Sequence, residues 1–202
     1  MGTVVGILFL TLTLALTVGG FAFALHNLWS ARSTCEAYCV RMGWQFNRRS
    51  GPWWDRRRYS VSLPHDPQPV VVSWRTPSKL STGSTTLSGQ VQTDAECQLF
   101  PAQNSTILVR ASRSERGKEL PSLTFHCWSS SKSLELALQS GRARELLEAS
   151  VASIAIQSER ASVSVRDLVR DPDHLALLFE LFALVRSLSV SSAATAQRPS
   201  VG

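Results

Sequence analysis

Charge is absent from the first part of this 202-residue sequence, because no Asp, Glu, Lys, Arg or His occurs in residues 4–25. These residues would extend roughly 33 Å as a helix, which matches the thickness of about 30 Å of the hydrocarbon core of a bilayer. The run therefore predicts a transmembrane helix over residues 1–25. No second run of this kind follows. This excludes a multi-span transporter, and we expect a single-pass membrane protein.

Lys and Arg are also missing before this run. An export signal normally has cationic residues there, so we favour a permanent anchor, although Ala22-Phe23-Ala24 has the small-x-small spacing of a cleavage site. By the positive-inside rule, the side that carries Arg32 and Arg41 is cytoplasmic. We therefore expect the remaining chain on the cytoplasmic side of the membrane. An exported, membrane-tethered domain is the alternative.

Cysteine is scarce, with 4 residues in the chain, which excludes a disulfide-rich mini-protein. Such residues pack as small hydrophobes in a cytoplasmic domain and form two bridges in an exported one. Their spacing differs from that of common zinc motifs, so we expect no metal. A bridge within one helical turn, between the first two, would be strained. The candidate disulfide residues are Cys35, Cys39, Cys97 and Cys127.

Catalytic signatures are missing as well. The sequence has no Gly-rich phosphate loop, no nucleophile elbow and no HExxH motif. The histidines are isolated from one another, and the paired acids Asp171 and Asp173 are explained by a helix start. We therefore expect a binding or scaffolding module without a cofactor, and an enzyme of unrecognised type is the alternative.

Arginine is abundant directly after the apolar run. Residues 26–60 contain seven arginines and two acidic residues, whereas the rest of the chain is nearly neutral. Arg near an anionic leaflet contributes about 1 kcal/mol each, and Trp favours the headgroup level. The residues that we expect to contact lipid are Trp29, Arg48, Arg49, Trp53, Trp54, Arg56, Arg57 and Arg58. Two alternatives remain: a solvated hairpin with its tryptophans in the core, and nucleic-acid binding, which the neutral remainder of the chain disfavours.

The apolar pattern after the run changes from helical to alternating. Helical spacing up to Gly43 predicts that the first helix continues as a stalk over residues 26–43, before a domain over 44–190. Residues 77–88 are rich in Ser and Thr and predict a loop. A short helix is expected over 142–149 with Ser140 as its cap. Alternation predicts strands around residues 44–46, 59–63, 70–74, 106–111 and 123–127, and a hairpin from 153–156 and 162–165.

The last helix has the clearest start signal, because Asp171 precedes Pro172 and Asp173 lies in the first turn. Its apolar residues extend nearly all the way round, which predicts burial in the domain core. The alternative is a homodimer or membrane contact through this helix. Residues 191–202 have the composition of a disordered tail. The fold class expected is α+β: one N-terminal transmembrane helix, then a small, mostly antiparallel sheet packed with a short helix and a long C-terminal helix.

The order of these elements is similar to that of a loose group of uncharacterised bacterial membrane-anchored proteins. The resemblance rests on the short helix at 141–147, the hairpin, the helix start at 171–175, and a strand pair at 44–46 and 58–61. It covers about 145 residues of the chain. It implies an architecture, but no function and no site residues.

Overall fold

A computed structural model describes residues 2–48, 58–63, 68–75, 83–93, 95–102 and 124–196. Four helices and eight strands are formed by these residues. The helices are α1 (Gly2–Arg41), α2 (Lys132–Gln139), α3 (Gly141–Ser150) and α4 (Pro172–Ala196). The strands are β1 (Gln45–Arg48), β2 (Arg58–Ser62), β3 (Val70–Arg75), β4 (Ser84–Gln90), β5 (Cys97–Pro101), β6 (Phe125–Ser129), β7 (Ser153–Gln157) and β8 (Arg160–Val165).

The strands form one sheet in the order β1-β2-β3-β4-β8-β7-β5-β6, and every neighbouring pair is antiparallel. Buried side chains from all the central strands lie on one face, since directly opposite residues share a face. This row runs through Val72, Leu87, Val163, Ile154 and Leu99. The helices pack on this face, and the fold is therefore α+β, as the sequence predicts.

Helix α1 does not end with its apolar run. It continues to Arg41 and stops where Gly43 adopts a left-handed conformation with φ +70°, while the Trp44 amide donates to the Cys39 carbonyl at 2.8 Å. From Asn27 onward one side of the helix is buried. The segment expected as a stalk is therefore one of the helices that cover the sheet, because its apolar stripe needs a packing partner.

The expected loop over residues 77–88 is wrong from Ser84 onward, because β4 is a central strand of the sheet. The Thr85 hydroxyl donates to the Asp167 carbonyl at 2.8 Å and accepts from the Val169 amide at 2.9 Å, so a buried polar residue is fully paired. The sequence patterns also do not predict strand β5 and helix α2. The strand expected at 106–111 lies outside the described residues.

The short helix and the hairpin are confirmed. Helix α3 begins after Ser140, whose hydroxyl donates to the Leu136 carbonyl at 2.7 Å instead of capping α3. The hairpin turns at Ser158 and Glu159 with φ +48° and +58°, as a two-residue turn of type I′ requires.

Helix α4 begins at the expected position, where the Asp171 carboxylate accepts from the Asp173 amide at 3.0 Å. Its apolar residues are buried in the core, as expected: Leu175, Leu178, Phe179, Leu181, Phe182 and Val185. The helix extends to Ala196, so residues 191–196, which the sequence predicts to be part of a disordered tail, are helical. A homodimer through this helix stays a hypothesis.

Candidate membrane-facing surface

Helix α1 runs along the covered face of the sheet, from the strand ends at one side of the sheet to the strand ends at the opposite side. The Arg32 guanidinium lies 5.1 Å from the centre of the Tyr59 ring, near the start of β2, and the Thr34 hydroxyl donates to the Arg170 carbonyl at 3.1 Å. The helix ends at Arg41 and leads into the start of β1 at the opposite edge. Residues 7–23 are all exposed and therefore project beyond the domain.

The strand register defines these two rows of strand ends, which we name the proximal edge and the distal edge. The proximal edge, from which the apolar part of α1 projects, contains the end of β1, the start of β2, the end of β3 and the start of β4, as the pairs Arg48↔Tyr59 and Arg75↔Ser84 show. The ends of β8 and β5 and the starts of β7 and β6 lie at the same edge. The distal edge contains the other end of each strand.

The segments that join elements at the two edges differ in charge. Those attached at the proximal edge are residues 49–57, 76–83, 102–124, 151–152 and 166–171, and their sequences contain ten basic and five acidic residues. Those attached at the distal edge are residues 42–44, 63–69, 91–96, 130–131 and 158–159, with four acidic residues and no Lys or Arg. The strand order therefore attaches the more basic segments at the edge where the apolar helix emerges. Acidic segments are attached at the distal edge, where Arg41 also ends α1 and Arg160 begins β8.

The structure describes three of the residues expected to contact lipid. Trp29 is 65% exposed on α1, about 6 Å along the helix axis from Leu25. Arg58 is exposed at the start of β2, and Arg48 ends β1, so both are at the proximal edge. The other expected residues, Arg49, Trp53, Trp54, Arg56 and Arg57, lie outside the described residues in the segment that joins β1 to β2.

Four further arginines at this edge are missing from the set expected from the sequence. Arg75 ends β3, and Arg166 and Arg170 follow β8; all three side chains are exposed. Arg32 also lies here and forms an ion pair with Glu36 at 3.8 Å. No local signal groups these residues, since they are scattered along the chain and only the strand order brings them to one edge.

The cysteines form two pairs. Cys35 and Cys39 lie one turn apart on the buried side of α1, and Cys97 and Cys127 are diagonal neighbours on β5 and β6 with a hydrogen bond between their thiols. All four are free thiols. Burial, as the main cause, raises the pKa of Cys97 to about 12 and also raises the pKa of Cys127. Cys97 and Cys127 are therefore protonated at neutral pH.

The described part of the chain contains no cluster of three or more His, Cys, Asp or Glu side chains that could hold a metal ion. An apolar cavity of about 330 Å³ lies between α4 and the β2–β3 connection, lined by Leu63, Val70, Phe179 and Phe182 among others. Arg186, at this cavity, donates to the Gln68 side chain at 2.8 Å.

Comparison with models of protein families, with curated proteins and with solved structures finds no match for this chain. The resemblance to bacterial membrane-anchored proteins therefore stays a hypothesis. Helix α1, over Ile7–Arg41, is long and apolar enough to cross a membrane by length and composition.

Proposed function

We propose that this chain is a single-pass membrane-anchored binding or scaffolding module whose proximal edge lies against an anionic lipid surface. The observation that carries the proposal is the coincidence of two features at one edge: the apolar helix projects there, and the segments attached there are basic. Each Lys or Arg near an anionic leaflet contributes about 1 kcal/mol. The segments at the distal edge carry acidic residues, which Arg41 and Arg160 partly balance, so the charge distribution favours one orientation of the domain.

The anchor in this proposal is α1 itself. The helix is continuous through Ala22 and Ala24 to the buried residues Asn27 and Ala31. A rigid connection of this kind holds the proximal edge close to the bilayer surface, since no flexible linker separates the span from the domain. Trp29 then lies just beyond the hydrocarbon, at the depth that Trp prefers. A signal sequence passes the same test of length and composition, and the mass of the mature protein distinguishes the two.

The cytoplasmic side is part of the proposal. Anionic lipids are concentrated in the cytoplasmic leaflet, and basic residues flanking a span remain on that side. The native cysteines are poor probes of sidedness because three of them are buried and Cys127 is half-buried. Gln92 is exposed at the distal edge and Thr3 lies at the other end of α1, so Gln92→Cys and Thr3→Cys are a matched pair. We expect a membrane-impermeant maleimide to label Thr3→Cys in intact cells and Gln92→Cys only after lysis. Labelling of Gln92→Cys in intact cells would instead support the exported domain.

Flotation with liposomes tests the lipid contact. Residues 7–23 are exposed and the buried side of α1 begins at Asn27, so a chain of residues 25–202 keeps the buried residues of the domain. We expect this chain to float with phosphatidylcholine vesicles that contain phosphatidylserine, and to remain unbound with pure phosphatidylcholine. High salt should abolish flotation because it screens the charges. Equal flotation with both vesicle types would exclude an electrostatic contact.

A further inference from the structure

The sheet has a second face, opposite the helices, which we name the open face. Among the described residues, every strand position on this face is half-buried or exposed. Its central side chains are small and mostly carry hydroxyls, and they stand directly opposite one another, as in the pairs Ser88↔Ser162, Thr86↔Ser164 and Ser153↔Ser164. The central strands therefore present a low, flat surface of short hydrogen-bonding groups.

Larger side chains border this surface on β5 and β6. Gln98 stands opposite Trp128, and Phe100 stands opposite His126, with a distance of 5.5 Å between the Phe100 and His126 ring centres. Trp128 is 55% exposed and Phe100 is 47% exposed. Together with Gln98 and His126, these two residues form one cluster at the border of the surface. Adjacent exposed aromatic rings on a folded domain indicate a contact with another molecule, because their apolar area otherwise remains in water.

Charge is nearly missing from the open face. Within the described strands, its charged side chains are Arg58, Arg75 and Arg160, each at the end of a strand, and no acidic residue faces this side. The interior of the face thus offers amides, hydroxyls and aromatic rings. Serine hydroxyls and the Gln98 amide both donate and accept hydrogen bonds. A complementary ligand is uncharged, has apolar flat faces and carries many hydroxyl groups.

We propose that the open face binds a neutral oligosaccharide. A pyranose ring has an apolar C–H face that stacks on Trp128, and hydroxyls at its rim reach the Gln98 amide. Neighbouring sugar units lie over Ser162 and Ser164 on β8. Three strand spacings separate β6 from β8, about 14 Å, so the surface fits a short oligosaccharide better than a monosaccharide. This site is separate from the proximal edge and does not depend on the lipid contact.

Single-stranded nucleic acid is the competing ligand, since its bases also stack on aromatic rings. Its binding requires cations along the phosphate backbone. Of the open-face arginines in the described strands, Arg58 and Arg75 stand on β2 and β3, beyond the path from Trp128 to Ser162. Arg160, two residues from Ser162, is the one cation beside this path, whereas a phosphate backbone would need a row of them. The charge pattern therefore favours a neutral ligand.

A glycan array tests the proposal with the full chain in a detergent that has no sugar headgroup, such as lauryldimethylamine oxide. The array carries neutral and acidic oligosaccharides, and an oligothymidylate serves as the nucleic-acid probe. We expect binding to neutral glycans of several sugar units. Trp128→Ala should weaken it about tenfold or more through loss of stacking. Ser162→Tyr should also weaken it, because the large side chain occupies the low surface.

Leu136→Ala is the matched control, because Leu136 is 60% exposed and lies on α2, on the other side of the sheet. Its glycan binding should equal that of the wild type, and circular dichroism should show the same fold for all variants. Absence of binding to every neutral glycan would overturn the proposal. So would equal binding by Trp128→Ala, or Trp128-dependent binding of the oligothymidylate alone.

Discussion

Replacement of two pairs of arginines distinguishes a lipid contact at the proximal edge from a general effect of net charge on lipid binding. Arg75 and Arg166 are exposed at the proximal edge, and Arg41 and Arg160 are exposed at the distal edge. Replacement of either pair by Gln removes the same charge from the chain. Arg75→Gln with Arg166→Gln should cost about 2 kcal/mol of binding to anionic vesicles, or about thirtyfold in affinity.

The distal pair should have little effect. Strands β2 to β8 have five to seven residues and place the two edges about 17 to 23 Å apart, which exceeds the screening length of about 8 Å at physiological salt. Arg41→Gln with Arg160→Gln should therefore change affinity less than twofold. The assay is flotation of residues 25–202 over a series of vesicle concentrations. Equal losses for the two double variants would show that only net charge matters, and unchanged binding by the proximal variant would refute the electrostatic reasoning.

Three further predictions concern the fold. Thr85→Val leaves the Val169 amide and the Asp167 carbonyl without their partner, so it should lower the free energy of unfolding in urea by about 2–3 kcal/mol. The control Thr86→Val, on the open face, should have almost no effect. Equal losses for the two variants would contradict the hydrogen-bond argument. The free energy of unfolding should fall as pH rises from 9 towards 12, because the pKa of the Cys97 thiol is near 9.0 in the unfolded chain and about 12 in the folded one. Cys97→Ala should reduce the slope of the free energy against pH. An unchanged slope would exclude this thiol as the cause. Removal of residues 1–24 should leave the thermal midpoint unchanged, since residues 7–23 are exposed, and a lower midpoint would reveal a contact of the apolar segment with the domain.

Local signals in the sequence were enough to predict several elements. Asp171 and Pro172 identify the start of α4 because a carboxylate cap and a proline at the first helical position each favour that start. The Ser158-Glu159 hairpin follows from the alternation on both sides of it. A signal for α2 was also present, since Ser131 accepts a hydrogen bond from the Leu134 amide and thus caps the helix.

Other elements have no strong local signal. Strand β4 has Thr85, Leu87 and Gly89 on its buried side, so only one of its three core positions is a large apolar residue and the alternation is hidden. Gly89 is there because the Phe182 ring lies 3.0 Å from where a Cβ would be. The burial of a strand of this composition depends on its neighbours in the sheet, which the periodicity of one segment does not reveal.

The candidate surface shows the same division. The cluster of arginines between residues 48 and 58 is visible in the sequence, because these residues are close in the chain. The contribution of Arg75, Arg166 and Arg170 depends on the strand order, which brings β3 and β8 to the same edge as the start of β2. The acidic residues attached at the distal edge likewise come from segments that are far apart in sequence.

The most direct test of the central claim is the depth of the two edges relative to the bilayer. Arg75→Cys at the proximal edge and Gln92→Cys at the distal edge are labelled with a fluorophore in the full chain, reconstituted in nanodiscs that contain phosphatidylserine and lipids with a nitroxide at the headgroup. We expect strong quenching of the label at position 75 and little quenching at position 92. Equal quenching, or stronger quenching at position 92, would contradict the assignment of the basic edge to the membrane.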